Sequence, residues 1–516
     1  MSPMMDATPL LRLWARRRLQ RLADMDPAAV QQAELLKLVR AAAGTRFGRS
    51  HGFAHIRSVA DFQSAVPLRD YDAFCDDVWG SAFPHLADVG WPGPVPWFAL
   101  TSGTTRDVTK YIPVTPAMVR SNKRAALDMM AHHLAARPQS RVLGGRSFIL
   151  GGSTDLKPLA PGVLAGDLSG IAAASVPAWA QCFTWPPEAL ALEADWERKI
   201  DILARGSLDL DVRSISGTPS WLLLLFERLA ELRPEAQRDL TRIWPGLELV
   251  IHGGVRFDPY KLQFDTWLRS RPADYREAYA ASEGFVAGSD RGFGEGLRLN
   301  LDIGLFYEFV PVEELESAQP TRHWVGTVKT GLNYAIAIST CAGLWGWLLG
   351  DTVRFVERDP PRLLVTGRTG ATMSAFGEHL TGEEIDRAVS RAAAWAGVSV
   401  ADYAMGAVFP TAEQPLGGHR YVVEFAGGIP SAAALGRFAE ALDAELSAGN
   451  EDYAAHRSGG FGLRAPELLA APPGFFAAWM KRRGKLGGQN KVPRVMNDGA
   501  LFDGLLEALD AAACGG

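Results

Sequence analysis

Two short apolar runs closed by glycines, Ser147-Phe148-Ile149-Leu150-Gly151-Gly152 and Leu247-Glu248-Leu249-Val250-Ile251-His252-Gly253-Gly254, limit what this chain can fold into. Runs of that length, bounded by turn residues and separated by helical patterns, predict buried parallel strands. The helices between them are also signalled. Thr115 suits an N-cap and Pro116 the first helical position. Val119, Ala126, Met130 and Leu134 then recur at helical spacing, which predicts a helix over 116–136. Thr218-Pro219 opens a second one through Leu222, Leu225, Phe226 and Leu229. The large N-terminal region is therefore expected to be α/β, with mostly parallel sheets, flanking helices and ligand-binding loops at the strand ends.

With 516 residues the chain is too long for one ordinary core. Past Arg368 its texture changes. Alanine- and glutamate-rich helices over 382–396 and 431–447 flank an alternating strand, Tyr421-Val422-Val423-Glu424-Phe425. That pattern predicts a small α+β domain over 369–516 behind a large domain over 1–368, with the boundary near Thr369-Gly370. Residues 1–60 read as helices with few breakers. In the first, Leu10, Leu11, Leu13 and Trp14 are expected to pack inward while Arg16, Arg17 and Arg18 face water.

Hydrophobic residues make up 47% and charged residues 22%, the balance of a soluble globular enzyme. A net charge of -5, with no basic patch interleaved with aromatics, argues against nucleic acid as a partner. Cys75, Cys182, Cys341 and Cys514 are scattered without a CxxC pair, so a reducing, cytoplasmic location is expected. No apolar run is long enough to span a bilayer, so no stable membrane association is expected, and no feature demands an obligate protein partner.

The chemistry is carried by short blocks. Thr101-Ser102-Gly103-Thr104-Thr105 is a hydroxyl- and glycine-rich turn of the kind whose N–H groups can point at phosphate oxygens. Lys110 follows and faces either phosphate or solvent. Such turns are common, and alone this one decides nothing. Behind it stand Tyr279-Ala280-Ala281-Ser282-Glu283-Gly284, Gly350-Asp351, Gly367-Arg368, Ser374 through Leu380, and Gly484 through Arg494. Together these blocks resemble the adenylate-forming superfamily of acyl-CoA synthetases, luciferases and peptide-synthetase adenylation domains. Within it the chain is most similar to the auxin-responsive Gretchen Hagen family of acyl-acid amido synthetases. Thr45-Arg46-Phe47-Gly48, Val66 through Tyr71, Gly217 through Trp221, Phe306 through Pro311 and Asn450 through Tyr453 extend the likeness nearly end to end.

The resemblance implies an ATP- and Mg²⁺-dependent ligase that adenylates a small carboxylic acid and passes the acyl group to an amine acceptor, an amino acid in that family. It assigns the β- and γ-phosphates to Thr101, Ser102, Gly103, Thr104 and Thr105. Glu283 becomes the Mg²⁺ ligand beside Ser282, since magnesium needs few protein oxygens when phosphates supply the rest. Tyr279, or the Gly253-Gly254 backbone, is expected to pack on adenine. Asp351 would accept the ribose hydroxyls, and Arg368 would reach ribose or phosphate. Lys491 is the expected adenylation lysine, with Lys485 as runner-up, carried in by a mobile C-terminal domain that swings about Thr369-Gly370. Glu378 and His379 are the groups near that hinge able to take a proton from an incoming ammonium.

One departure stands out. Relatives carry a Tyr-Arg-Tyr-like segment before the Gly-Asp pair, whereas this chain has Leu344-Trp345-Gly346-Trp347-Leu348-Leu349. For the acyl pocket, Arg120, Asn122 and Lys123 are candidate polar contacts, while Trp221 and Phe285 are candidate walls. Fifteen tryptophans add material for an aromatic lining. His132 and His133 have no metal-ligand partners in the sequence and read as structural. Two other readings stay open: an acyl-CoA or carrier-protein thioester ligase, and a non-catalytic adenylate-binding protein.

Overall fold

The computed structural model describes residues 5–514 apart from 103–108, 152–155, 188–189, 191–192, 194–195, 255–256, 316, 370–372, 374, 376–377, 379, 410–415, 451–452, 455–456, 458–462, 486–490 and 497–498. The chain divides into two compact units, one within residues 1–365 and one centred on 366–516.

Strands of the first unit are, in chain order, β1 (Trp97–Ser102), β2 (Thr109–Val114), β3 (Arg146–Ile149), β4 (Lys157–Ala160), β5 (Val163–Gly166), β6 (Thr184–Trp185), β7 (Val212–Gly217) and β8 (Leu249–Gly253). They continue with β9 (Asp274–Ala281), β10 (Gly284–Gly288), β11 (Leu297–Leu299), β12 (Leu305–Pro311), β13 (His323–Trp324), β14 (Asn333–Thr340), β15 (Trp347–Arg358) and β16 (Pro361–Arg368). Among the described residues they form a small sheet, β2-β1-β5-β4, and a large one, β13-β12-β14-β15-β16-β11-β10-β9-β8-β7-β3-β6.

Both glycine-closed runs are strands, as expected, and they are parallel. Parallel pairing joins β6, β3, β7, β8 and β9 in sequence. The expectation of mostly parallel sheets needs correction, because pairing turns antiparallel from β9 onward. The cause is local. A two-residue turn, Ser282-Glu283, folds β10 back on β9, and a connection that short can join only antiparallel neighbours.

The helix Pro116–Ala136 starts as its sequence requires, with Thr115 Oγ1 accepting from the Met118 amide at 3.1 Å. Its buried stripe runs through Met118, Ala125 and Met129, one position off the predicted face, and meets that face at Leu134, while Ala126 is exposed. Asp128 is on the buried side because it meets Arg18. That arginine, expected in water, is buried in the helix Thr8–Ala23 and bridges Asp128 (2.6 Å) and Asp302 (2.7 Å). Leu10 and Leu13 are exposed instead. His133 is structural, bonded through its ring nitrogens to Asp274 (2.8 Å) and Ser140 (3.1 Å). His132 is held neutral, burial pushing it down to about 4.

In the second unit β17 (Val400–Val408), β18 (Gly418–Phe425), β19 (Glu467–Ala471) and β20 (Val495–Met496) form a sheet ordered β19-β18-β17-β20. Tyr421, Val423 and Phe425 face the helices Gly382–Ala396 and Ala432–Gly449. Val422 faces the other way, onto the helices Phe475–Arg482 and Gly499–Cys514. The alternation in this strand therefore separates two apolar layers, one on each face of the sheet.

Candidate nucleotide site

Strands β7, β8 and β9 run parallel, and their C-terminal ends stand in register, Gly217 beside His252 and Gly253 beside Ala278. In an open α/β sheet that edge is where ligands bind. Three of the sequence blocks, at Gly217, Gly253 and Tyr279–Glu283, meet there. Glu283 is the outer residue of the two-residue turn between Ala281 and Gly284, half-buried beside the buried Ser282. A hairpin this tight gives a carboxylate little freedom to drift.

Asp351 reaches the same place by a different device. In the β14–β15 ladder Ala335 pairs with Thr352 and Ala337 with Leu348, so Leu349, Gly350 and Asp351 all lie opposite Ile336. Two extra residues make a bulge, and Gly350 takes its turn at φ +84°, a conformation that costs glycine little. The bulge lifts Asp351 off the ladder, and its Oδ2 accepts a hydrogen bond from the Tyr279 hydroxyl at 2.7 Å. Three strands (β10, β11, β16) separate β9 from β15 in the sheet order. Strands in a flat sheet would hold the two backbones about 19 Å apart, well beyond a tyrosine's reach. The sheet therefore curls between these strands, and its ladder carries irregularities at Val286 and at Leu349–Asp351.

Backbone geometry gives Gly253 and Gly254 reasons of their own. A Cβ on Gly253 would stand 2.3 Å from the Ala278 carbonyl oxygen, and Gly254 has φ +84°. Of the first block, Thr101 lies on β1 opposite Lys110 on β2, so the block opens a hairpin. Gly103, Thr104 and Thr105 lie outside the described residues. Lys110 sets its ammonium 5.2 Å from the centre of the Tyr71 ring, a cation–π contact. Arg368 ends β16. Thr369 is in the following turn, and Gly370 falls outside the described residues.

In the second unit Lys491 is exposed, and Lys485 follows the helix Phe475–Arg482, its amide bonded to the Met480 carbonyl at 2.9 Å. Glu378 has a partner of its own. Its carboxylate is not solvated but fully buried, 2.7 Å from His419 Nε2 on β18. His379 lies outside the described residues.

The acyl-pocket expectations fare unevenly. Trp345 and Trp347 are buried in a cluster with Phe47, Phe53, Phe74 and Trp79, so these tryptophans build core. Gly346 has φ +58°, and a Cβ there would stand 2.6 Å from the Pro67 carbonyl oxygen. An arginine at that position requires a different local backbone. Lys123 bonds the Ser175 carbonyl. Asn122 bonds the Phe285 amide (3.2 Å), and Asn300, which no sequence signal marked, bonds the Phe285 carbonyl (2.9 Å).

Comparison with known proteins gives a consistent picture. The chain matches the GH3 family N-terminal domain over residues 16–273, the central domain over 299–368 and the C-terminal domain over 383–500. Its fold is similar to that of AtGH3.15 acyl acid amido synthetase in complex with 2,4-DB, with a TM-score of 0.80 at 17% identity, covering 99% of this chain and 97% of that one. It is also similar to 2-hydroxyisobutyryl-CoA ligase in the postadenylation state, with a TM-score of 0.59 at 16% identity, covering 94% and 92%. A search by sequence among curated proteins finds no match.

Proposed function

The chain belongs to the GH3 family, and from that premise we propose that it is an AMP-forming ligase joining a small carboxylic acid to an amine, with an amino acid as the acceptor. The observation that carries the reading is the bond between Tyr279 and Asp351 at the edge where the Glu283 turn also stands. A carboxylate with one oxygen fixed by a phenol keeps acceptor capacity for a pair of ribose hydroxyls.

In the first half-reaction a carboxylate oxygen of the acid attacks the α-phosphorus of ATP. Pyrophosphate leaves and an acyl-adenylate remains. The chain's task is to position anions and offset their charge. Thr101, Ser102 and the turn they open would hold the β- and γ-phosphates, Asp351 the ribose, and Tyr279 or the Gly253-Gly254 backbone the adenine. Glu283 fits Mg²⁺, being a single half-buried carboxylate of the kind that serves magnesium when phosphates complete its shell. When bound, that ion offsets phosphate charge. Lys491, with Lys485 as the lesser candidate, would bring an ammonium to the carboxylate and α-phosphate oxygens.

In the second half-reaction the amine nitrogen attacks the acyl carbon, the C–O bond to phosphate breaks, AMP leaves, and the amine's extra proton passes to solvent. Residues 1–368 and 369–516 are proposed as the two domains, the smaller turning about Thr369-Gly370 between the halves. The similarity to a CoA ligase favours one second reading, in which a thiol replaces the amine.

The first half-reaction is tested by acid-dependent exchange of labelled pyrophosphate into ATP. Exchange that requires a carboxylic acid and Mg²⁺ supports adenylation. Label entering ATP without any acid, or none with any acid while AMP still binds, contradicts it.

A further inference from the structure

We propose that Asn122 is a positioning residue, acting through the backbone of Phe285 to hold the turn that presents Glu283. This rests on the reading of Glu283 as the metal ligand. Asn122 lies in the second turn of the helix Pro116–Ala136, which follows directly on the β1–β2 hairpin. Its Oδ1 accepts from the Phe285 amide at 3.2 Å, while Asn300 Nδ2 donates to the Phe285 carbonyl at 2.9 Å.

The need for such a clamp is visible in the ladder. β10 pairs with β11 only at Ala287–Leu299 and Gly288–Arg298, and β11 ends at Leu299. The register against β9 slips between Phe285 and Ala287. The Asn300 amide still reaches the Val286 carbonyl at 3.0 Å, but among the described residues no strand pairs with Phe285 on that side. Two side-chain amides therefore stand where a neighbouring strand would, one peptide away from the Ser282-Glu283 turn. Buried backbone groups need partners, and these supply them. Tyr307 locks the far end, its hydroxyl donating to the Asn300 carbonyl at 2.9 Å. The result ties the helix Pro116–Ala136 to the hairpin bearing Glu283 through one polar chain, Asn122, the Phe285 backbone, Asn300 and Tyr307.

Asn122→Ala and Asn122→Asp are compared with the unaltered chain, aspartate keeping the acceptor oxygen. In Asn122→Ala, amide hydrogen exchange over 282–286 should speed up. The Mg²⁺ concentration giving half-maximal pyrophosphate exchange should rise about tenfold, the scale of one lost hydrogen bond. AMP binding without metal should stay unchanged, and Asn122→Asp should restore both exchange protection and Mg²⁺ response. Where Asn122→Ala does not fold, Asn122→Ser, too short to reach Phe285, is read the same way. Unchanged amide exchange, or an aspartate variant as impaired as alanine, overturns the proposal. Glu283→Gln separates the two claims. An unaltered Mg²⁺ response there removes the metal reading, while faster exchange in Asn122→Ala with rescue by aspartate still supports the clamp.

Discussion

The Tyr279 hydroxyl donates to Asp351 at 2.7 Å although three strands lie between their own in the sheet. That contact joins two sequence blocks 72 residues apart, and neither side chain could make it in a flat sheet. Tyr279→Phe should raise the KM for ATP about tenfold to a hundredfold, the value of one hydrogen bond to a charged group. Asp351→Ala should raise it further. Steady-state ATP titration checks both, and an unchanged KM in Asp351→Ala would remove the ribose assignment.

Glu283 sits at a hairpin tip, where its side chain adds little to the core. Glu283→Gln should leave thermal stability near that of the parent, since substitutions away from core and caps fall within about 0.5 kcal/mol. It should still require much more Mg²⁺ for pyrophosphate exchange. A melting shift without a change in Mg²⁺ demand would make this residue structural.

Lys491→Ala should abolish adenylation while leaving aminolysis of a supplied acyl-adenylate largely intact, with Lys485→Ala the milder variant. Thr369→Pro should do the reverse, impairing transfer more than adenylation. Equal loss of both halves in Lys491→Ala would take the lysine out of its assigned role.

Some of this was legible in the sequence because it is local. Thr115 and Pro116 announce a helix start wherever they fall, and the helix begins there. The glycine-closed runs around Phe148 and Val250 declare strands by length and apolarity alone. The bulge that lifts Asp351 was not legible, because it depends on which residue of β14 faces which of β15. Nor was the fate of Arg18. A run of three arginines reads as a wet helix face until Asp128 and Asp302 are seen on the other side. Asn300 gave no signal, since its worth comes from where β11 stops.

The first unit also carries a buried ion pair open to test by pH. Arg362 binds Asp290 through Nε (2.9 Å) and Nη2 (2.6 Å). Burial pushes the Asp290 carboxyl up, but hydrogen bonds and charge from Arg362 outweigh it and hold the group below its ordinary value. A depressed folded value means the pair's stabilisation is complete above the unfolded aspartate value of about 3.9 and is lost as pH falls through the lower, folded one. Arg362→Met should cost about 3–5 kcal/mol at neutral pH by leaving Asp290 buried without its main partner. The variant should lose less additional stability on acidification than the parent. Urea unfolding at neutral and acid pH measures both, and parallel loss in the two proteins would contradict the assignment.

In the proposed reaction an acid is activated with ATP and handed to an amine. The most direct test follows AMP and pyrophosphate release with Mg²⁺ over aryl, indole, fatty and short-chain acids, with and without pooled amino acids or CoA. Acid-dependent release of both products, raised by amino acids and accompanied by amide product, is the predicted result. Release raised by CoA and not by amino acids would contradict the amide ligase and install the thioester ligase in its place.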